Sequence, residues 1–313
     1  VASVPPRPSE TGVLGILVVN YFSADAVSLL LTSLAAHAGG CTVHVSVVDN
    51  SCDPAEFRRL SDAIVQPAES PLLVRASASD TNRGYAGGNN LAWSLLADVA
   101  STVDVVVVAN PDVELADGAL SALVGAVAAQ PAALFGVRTV TGGITYTGLG
   151  AIDRRSGQSR QVALNEPPTP AEVTYPTGHF LAVARAQWDR LGGMSEDYFL
   201  YSEEVDLMLR ATAADPAVDV RTIDSVLLRH SGGLTTGSGD SMAEKSLATY
   251  LHGTRSRVIL FRKHRSLTRY LPLVVGARLL WSVKVLAVAG YPSAKAVWSG
   301  VIQGFAWRAG STR

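Results

Sequence analysis

The stretch that decides the fold is Val105-Val106-Val107-Val108-Ala109-Asn110-Pro111-Asp112-Val113. Four successive β-branched residues without polar alternation describe a strand buried on both faces, as in a parallel sheet covered by helices. In such sheets ligands bind beyond the carboxyl ends of the strands, so Asp112 falls where the fold keeps its chemistry. Two readings of this carboxylate stand side by side. Asn-Pro-Asp is good turn chemistry, and a carboxylate in this place also suits a hard divalent cation held against a diphosphate.

Working outward, the same pattern recurs. GVLGILVV (12–19) runs into Asn20-Tyr21, VHVSVV (43–48) stops at Asp49-Asn50-Ser51, and residues 72–76 lead to a glycine-rich loop expected over residues 82–90. Helical spacing of apolar residues marks residues 24–38, 54–65 (with Pro54 in the first turn), 91–100 and 118–129 between them. This β-α-β-α rhythm over the first 137 residues predicts a mostly parallel sheet with crossover helices. After Arg138 it breaks. Gly, Thr and Tyr over 139–152 suggest hairpins, and 153–170 reads as a loop. Ser202 is placed to N-cap a helix whose surface carries an i,i+4 pair, Asp206 and Arg210. Two short strands, 218–221 and 225–229, end at His230, and residues 231–241 have the makings of a mobile loop.

The polar residues at these strand ends share one rim, where a nucleotide can lie across them. Asp49 suits a pyrimidine N–H or ribose hydroxyls, or a plain Asx turn. Gly84, Gly87 and Gly88 let the backbone approach phosphate or sugar, with Arg83 as counter-charge and Asn82 and Asn89 beside it. The loop is neither Gly-x-Gly-x-x-Gly nor a P-loop, which argues against a dinucleotide enzyme and an ATPase. Glu203 and Glu204 begin a helix, a place the helix dipole favours for acids on its own account; a carboxylate there can also deprotonate an attacking hydroxyl. His230, at the rim beside acids, is a candidate metal ligand. Thr177, Gly178 and His179 are candidates for the donor or acceptor pocket.

The 313-residue chain has a net charge of −1 that conceals an asymmetry. Residues 1–244 hold 14 Lys and Arg against 27 Asp and Glu, and residues 245–313 hold 12 against none. An acid-free basic segment points to an anionic partner, and its long apolar helices favour lipid over nucleic acid, so no nucleic-acid partner is expected. Pro272 and Pro292 each suit a helix start, and Ala294, Val297, Trp298, Val301, Ile302 and Phe305 form one apolar stripe. With Arg262-Lys263-His264-Arg265 ahead of it, this predicts peripheral membrane contact through residues 255–308. Packing on the catalytic part or on a second copy, as a homodimer, is the alternative. Arg278 and Lys284 interrupt the most apolar window, so a spanning helix is not expected. Two cysteines fit a reducing, cytoplasmic compartment, with the protein on the inner face of the membrane. Residues 1–12 lack the apolar core of a signal peptide and read as a flexible arm.

DNS (49–51), NRGYAGGNN (82–90), NPDVEL (110–115), TGHFLAVAR (177–185), GGMSEDYFLYSEEVDLMLR (192–210) and His230 follow in the order of the inverting family-2 glycosyltransferases. The chain resembles their bacterial rhamnosyltransferase-like branch over about residues 13–264. The resemblance implies an α/β GT-A fold, Rossmann-like with a mostly parallel central sheet, and a helical C-terminal extension. It divides the chain into a glycosyltransferase domain, 13–245, and a basic apolar extension, 246–313. Within the domain, 13–137 is the nucleotide-binding half and 138–245 the acceptor and catalytic half. It further implies that Asn20, Tyr21, Asp49, Asn82, Arg83, Gly84, Gly87, Gly88, Asn89, Asn110 and Asp112 shape the site for a dTDP- or UDP-sugar. Asp112 and His230 then hold Mg²⁺ or Mn²⁺, Glu204 is the base, and Glu203 orients the acceptor hydroxyl. Three positions depart from the family pattern: Asn110 for a first Asp, Glu204 for the usual Asp, and His179 for a small apolar residue. The acceptor expected is a lipid-linked cell-wall or polysaccharide intermediate, with a small-molecule aglycone as alternative; a nucleotide-sugar-binding protein without turnover is the other class.

Overall fold

The computed structural model describes residues 11–64, 70–230 and 241–309. Its first part alternates strand and helix: β1 (Val13–Asn20), α1 (Ala24–Ala36), β2 (Thr42–Asp49), α2 (Pro54–Ala63), β3 (Leu72–Ala78), α3 (Gly84–Ser94) and β4 (Val105–Ala109). A two-residue β5 (Val113–Glu114), α4 (Ala119–Ala129), β6 (Leu134–Thr141), β7 (Ile144–Asp153), β8 (Ser159–Ala163), β9 (Glu172–Pro176) and β10 (Phe180–Ala184) follow. Then come α5 (Arg185–Leu191), α6 (Glu203–Ala214) and β11 (Val220–His230), and the helices α7 (Leu247–Lys263), α8 (Arg265–Thr268) and α9 (Leu271–Ala306). The expected arm and the loop over 231–241 lie, except for residues 11, 12 and 241, outside the described residues.

The sheet runs β3-β2-β1-β4-β10-β6-β11-β5, with β7 branching from β6 and carrying β8 and β9. β1 to β4 are mutually parallel, and the valine run sits at the centre with both faces buried. β10 runs antiparallel to β4, with Phe180 opposite Ala109. Its start therefore lies at the same rim as the ends of β1, β2 and β4, which carries Thr177–His179 to that rim. β11 ends by pairing with β5, His230 opposite Val113; that pairing sets His230 beside Asp112.

Several local expectations change. The glycine-rich segment is the first turns of α3, not a loop: Gly84 takes φ +67° to enter the helix, and a Cβ on Gly88 would lie 2.7 Å from Val19 Cγ2. Small residues here let the helix lie close on β1. The expected loop 153–170 contains β8, and the two strands before His230 are one irregular strand whose register shifts between Ile223 and Leu228. Ser202 does not cap α6 through its side chain; it sits at φ +74° after Tyr201 at φ +70°. Asp206 is buried rather than on the helix surface, where it takes Arg210 at 2.6 Å, His264 at 2.8 Å and Lys263 at 2.9 Å.

The tail packs on this body. Ile259, Leu260, Phe261, Leu267 and Val274 share a core with Tyr198, Val205 and Leu209. α9 is broken at Gly290 (φ 80°, ψ 176°), and Pro292 restarts it. The predicted apolar stripe is split: Ala294, Val297 and Val301 are buried, while Ile302 and Phe305 are 68% and 48% exposed. A Cβ on Gly304 would lie 2.5 Å from Val258 Cβ, so α9 and α7 pack with small residues between them. Contrary to expectation, α9 is long and apolar enough, by length and composition alone, to cross a membrane, although it carries Arg278, Lys284 and Lys295.

Candidate active site

Two cavities meet at the sheet rim. One, of about 260 Å³, is lined by Tyr21, Asn50, Asn82, Tyr85, Asn110 and His230 among others. The second, of about 570 Å³, lies between the body and the C-terminal helices and is lined by Tyr175, Thr177, Tyr250, Arg257 and Arg278 among others. Gly178, Tyr201 and Glu204 line both.

Glu204 reaches this junction because three local features put it there. The two left-handed residues Tyr201 and Ser202 turn the chain sharply into α6, a conformation non-glycine residues adopt only when the surroundings enforce it. Asp206, one turn on, is clamped by Arg210, Lys263 and His264. Gly178 leaves room: a Cβ there would lie 2.0 Å from Glu204 Oε1. Burial raises Glu204 well above the ordinary carboxylate range, against the Gly178 amide that hydrogen-bonds to it. Glu203 is 2% exposed, and its Oε2 has no hydrogen-bond partner among the described residues. Burial first, then the neighbouring Glu204, raises it strongly. A carboxylate poised to hold or release a proton near neutral pH is what general-base work requires.

At the rim of the smaller cavity His230 Nε2 lies 3.2 Å from Asp112 Oδ1. Neither ring nitrogen of His230 makes a hydrogen bond among the described residues. A carboxylate oxygen and an imidazole nitrogen set this close at the rim are the donor types that suit a divalent cation completed by diphosphate oxygens. Among the described residues no three His, Cys, Asp or Glu groups gather, so a cation held at this pair would need its remaining ligands from elsewhere. His179 stacks on His230 with ring centroids 4.7 Å apart and bonds Thr139 Oγ1 at 3.0 Å. Burial, and then His230, push it down to about 3, so it is neutral. A cationic ring there would repel a metal; a neutral one packs beside it.

The nucleotide-side residues divide. Tyr21, Asn82, Gly84, Asn110, Gly178, His179 and His230 line the smaller cavity, whereas Asn20, Asp49, Arg83, Gly87, Gly88, Asn89 and Asp112 do not. Asn20 is fully buried and its Nδ2 donates to Asp49 Oδ1 at 3.0 Å and to Glu56 Oε1 at 3.2 Å. Asp49 accepts on both oxygens, from Asn20, the Ser51 amide and the Ser51 hydroxyl. That is the Asx turn, and it fixes the rim. Gly87 and Gly88 face Arg83, Glu196, Val19 and Asn50. Arg83 is exposed and bonds Ser79 Oγ at 3.1 Å.

Two residues were not singled out from sequence. Asn50 lines the cavity with its Oδ1 unpartnered while its Nδ2 holds the Gly84 carbonyl at 2.8 Å. The period-two alternation past β2 signals it, since the residue after an inward-bonded Asp49 must face the other way. Tyr85 donates to the Gly178 carbonyl at 2.6 Å and lies 3.1 Å from Asn110 Oδ1; nothing local marked it.

No family model matches the chain. It is 28% identical over 223 residues to the N-acetylglucosaminyl-diphospho-decaprenol L-rhamnosyltransferase of Mycobacterium tuberculosis, spanning 63% of this chain and 69% of that protein. Among solved structures it superposes on a Pyrobaculum calidifontis mannosyltransferase in complex with GDP-Man and Mn²⁺, with TM-score 0.52, 16% identity, and 99% and 89% of the two chains covered. It also superposes on GalNAc-T7 with UDP, GalNAc and Mn²⁺, with TM-score 0.52, 13% identity and 79% of this chain, though it spans only 50% of that one. The sheet order and these superpositions give the chain the GT-A fold of glycosyltransferases, and its sequence is similar to that of a rhamnosyltransferase.

Proposed function

We propose that the chain is a metal-dependent, inverting glycosyltransferase moving a hexose or deoxyhexose, with rhamnose favoured, from a dTDP- or UDP-sugar to a hydroxyl of a lipid-linked acceptor. The observation that carries this reading is Glu204 at the junction of two cavities, one on each side of the position where a sugar would be exchanged. Residues 13–245 act as the catalytic domain. The donor nucleotide lies in the smaller cavity over Asn50, Asn82 and Tyr85, and the acceptor enters the larger one. Asp112 and His230 would hold Mg²⁺ or Mn²⁺, which when bound supplies positive charge to the departing diphosphate.

Glu204 takes the proton of the acceptor hydroxyl as its oxygen forms a bond to the anomeric carbon. The bond from that carbon to the diphosphate breaks on the opposite face, and the nucleoside diphosphate leaves with the electron pair. Glu203, buried beside it, keeps its proton and so leaves Glu204 as the ionised member of the pair. Tyr85 holds Gly178 and Asn110 together across the donor cavity. The acceptor class follows the relative, whose name specifies a diphospho-decaprenol. Peripheral binding to the inner membrane face is supported by Leu280 and Val283 of α9, 77% and 65% exposed. Both halves of α9 pack one side on the protein, which favours lying on the surface over crossing it.

Turnover is tested with a panel of dTDP- and UDP-sugars plus Mn²⁺, using a prenyl-diphosphate-linked N-acetylglucosamine as acceptor. Product of inverted anomeric configuration, lost on chelation, is the expected result. Nucleotide binding without product on this acceptor or on soluble aglycones would refute the reading.

A further inference from the structure

The larger cavity contains cations that the transfer itself does not use. Arg257 of α7, Arg278 of α9 and Lys245 all line it. Among the described residues none of them meets a carboxylate. Arg257 Nη2 donates to Ser159 Oγ at 3.5 Å, the Arg278 guanidinium lies 4.8 Å from the Trp281 ring centroid, and the Nε of each arginine is buried without an acceptor. Other inward-turned cations behave differently. Arg160 grips Glu172, Arg210 and Lys263 meet Asp206, and Arg262 takes three carbonyls.

Burial, and then repulsion from Arg278, hold Arg257 below the ordinary guanidinium value. Two like charges facing one another in a partly dry cavity are unfavourable unless an anion joins them. Glu204, the carboxylate lining the same cavity, forms no ion pair with either arginine among the described residues. The arginine stem is also fixed in place. Gly157, at φ +65°, lets the β7–β8 turn close on it, and a Cβ there would lie 2.8 Å from Arg257 Cδ. Next to Arg278 along α9, Leu279, Leu280 and Val283 are 45%, 77% and 65% exposed.

We infer that Arg257 and Arg278, with Lys245, form the binding site for the diphosphate that joins the acceptor sugar to its apolar chain. The inference rests on the glycosyltransferase reading above only for the identity of the ligand as acceptor. Two guanidinium forks match two phosphoryl groups in a way that a single point charge does not. The acceptor's hydroxyl end then reaches Glu204 at the inner end of the cavity. Its apolar chain leaves past α9, where exposed leucines meet it.

The test separates charge from lipid and binding from turnover. In chelator, where the donor side has no cation to hold a diphosphate, calorimetry is run with farnesyl diphosphate, inorganic diphosphate and farnesol. The wild-type protein is expected to bind farnesyl diphosphate most tightly, inorganic diphosphate more weakly and farnesol weakest. The double variant Arg257→Gln/Arg278→Gln is expected to lose about 100-fold or more in affinity for farnesyl diphosphate, since each hydrogen bond to a charged group is worth about tenfold or more. Arg278→Lys, which restores charge without the fork, should recover part of it, and Arg58→Gln, an exposed arginine elsewhere, should leave it unchanged. Thermal stability of the double variant should match or exceed the wild type, because unpaired buried cations are removed.

In turnover the acceptor KM should rise by a similar factor while the donor KM holds. Equal binding by variant and wild type would overturn the inference, as would loss of binding accompanied by loss of stability. Equal affinity for inorganic and farnesyl diphosphate would overturn the lipid-linked assignment. If arginine-dependent binding is seen but no donor yields product, the site stands and the proposed transfer falls.

Discussion

Replacing Glu204 with Gln keeps the side-chain shape and an oxygen for the Gly178 amide but removes the group that takes the proton. General-base catalysis is typically worth about 10²- to 10⁴-fold, so kcat should fall by about 10³-fold. Nucleotide affinity should hold, because Asn50, Asn82 and Tyr85 lie on the other side of the junction. The wild-type pH profile carries a second signature. Burial raises Glu204 to about 7, so kcat/KM should climb through that region as the base ionises, and the variant should lose this limb. Stability moves oppositely. A carboxyl whose folded pKa is raised contributes fully below its unfolded value of about 4.3 and loses that contribution as pH rises through the folded value. The displacement corresponds to roughly 4 kcal/mol at its limit, and solvent in the cavities reduces it to about 1–2 kcal/mol. Glu204→Gln should therefore melt higher than the wild type at pH 8 and not at pH 4. The assay pair is product formation by chromatography from pH 5 to 9 and calorimetric melting at the two extremes. Activity within about tenfold of wild type, with the acid limb intact, would refute the base assignment.

Gly178→Ala places a Cβ 2.0 Å from Glu204 Oε1 and should lower kcat by about 100-fold, the expected effect of a misplacement near 1 Å, as read in steady-state kinetics. Asp112→Asn and His230→Ala should each weaken Mn²⁺-dependent nucleotide-diphosphate binding by about 100-fold or more, with little change in chelator; titration calorimetry in both buffers checks this. Gly84→Ala forces a left-handed side chain 2.1 Å from the Phe199 carbonyl and should cost about 2–4 kcal/mol, seen as a lowered melting temperature. Leu280→Glu with Val283→Glu should abolish flotation with anionic vesicles by about 100-fold in partitioning without changing the melting temperature.

How much was legible in the sequence follows from what each residue responds to. Val105–Val108 could be read because burial on both faces leaves a continuous apolar run, and the place of Asp112 at the rim because it follows that strand. The glycines of residues 84–88 read as a loop from sequence but open a helix. Sequence records that small residues are needed, but not what demands the space; at Gly88 it is Val19 of β1 and at Gly84 the Phe199 carbonyl. Asp49 likewise gave a carboxylate at the rim, and only the Ser51 and Asn20 bonds show that it is occupied in building the turn. Tyr85 and Arg278 act across long sequence separations, with Tyr85 bonding Gly178 and Arg278 sharing a cavity with Ser159. No local pattern encodes such partners. The β8 strand was lost because a five-residue segment with a single buried valine, Val162, carries too little alternation to stand out among polar neighbours.

The basic tail shows how a composition signal resolves once partners are assigned. An acid-free segment of 12 cations read as headgroup contacts. Yet Arg262 spends its guanidinium on the Gly304, Phe305 and Trp307 carbonyls, Lys263 bridges Asp197 and Asp206, and His264 completes the Asp206 cluster. Part of the asymmetry is thus the two sides of one internal contact, with acids on the body and bases on the helices that dock there. That contact matters for chemistry because Asp206 lies two residues beyond Glu204 on α6. Anything that loosens α7 should loosen the helix carrying Glu204, the proposed base. The other cations include exposed ones such as Arg265 and Lys284, and Lys245, Arg257 and Arg278 lining the cavity. With Glu204 as the proposed base and Arg257 and Arg278 as the proposed anion site, acceptor binding and base positioning would be parts of one structure.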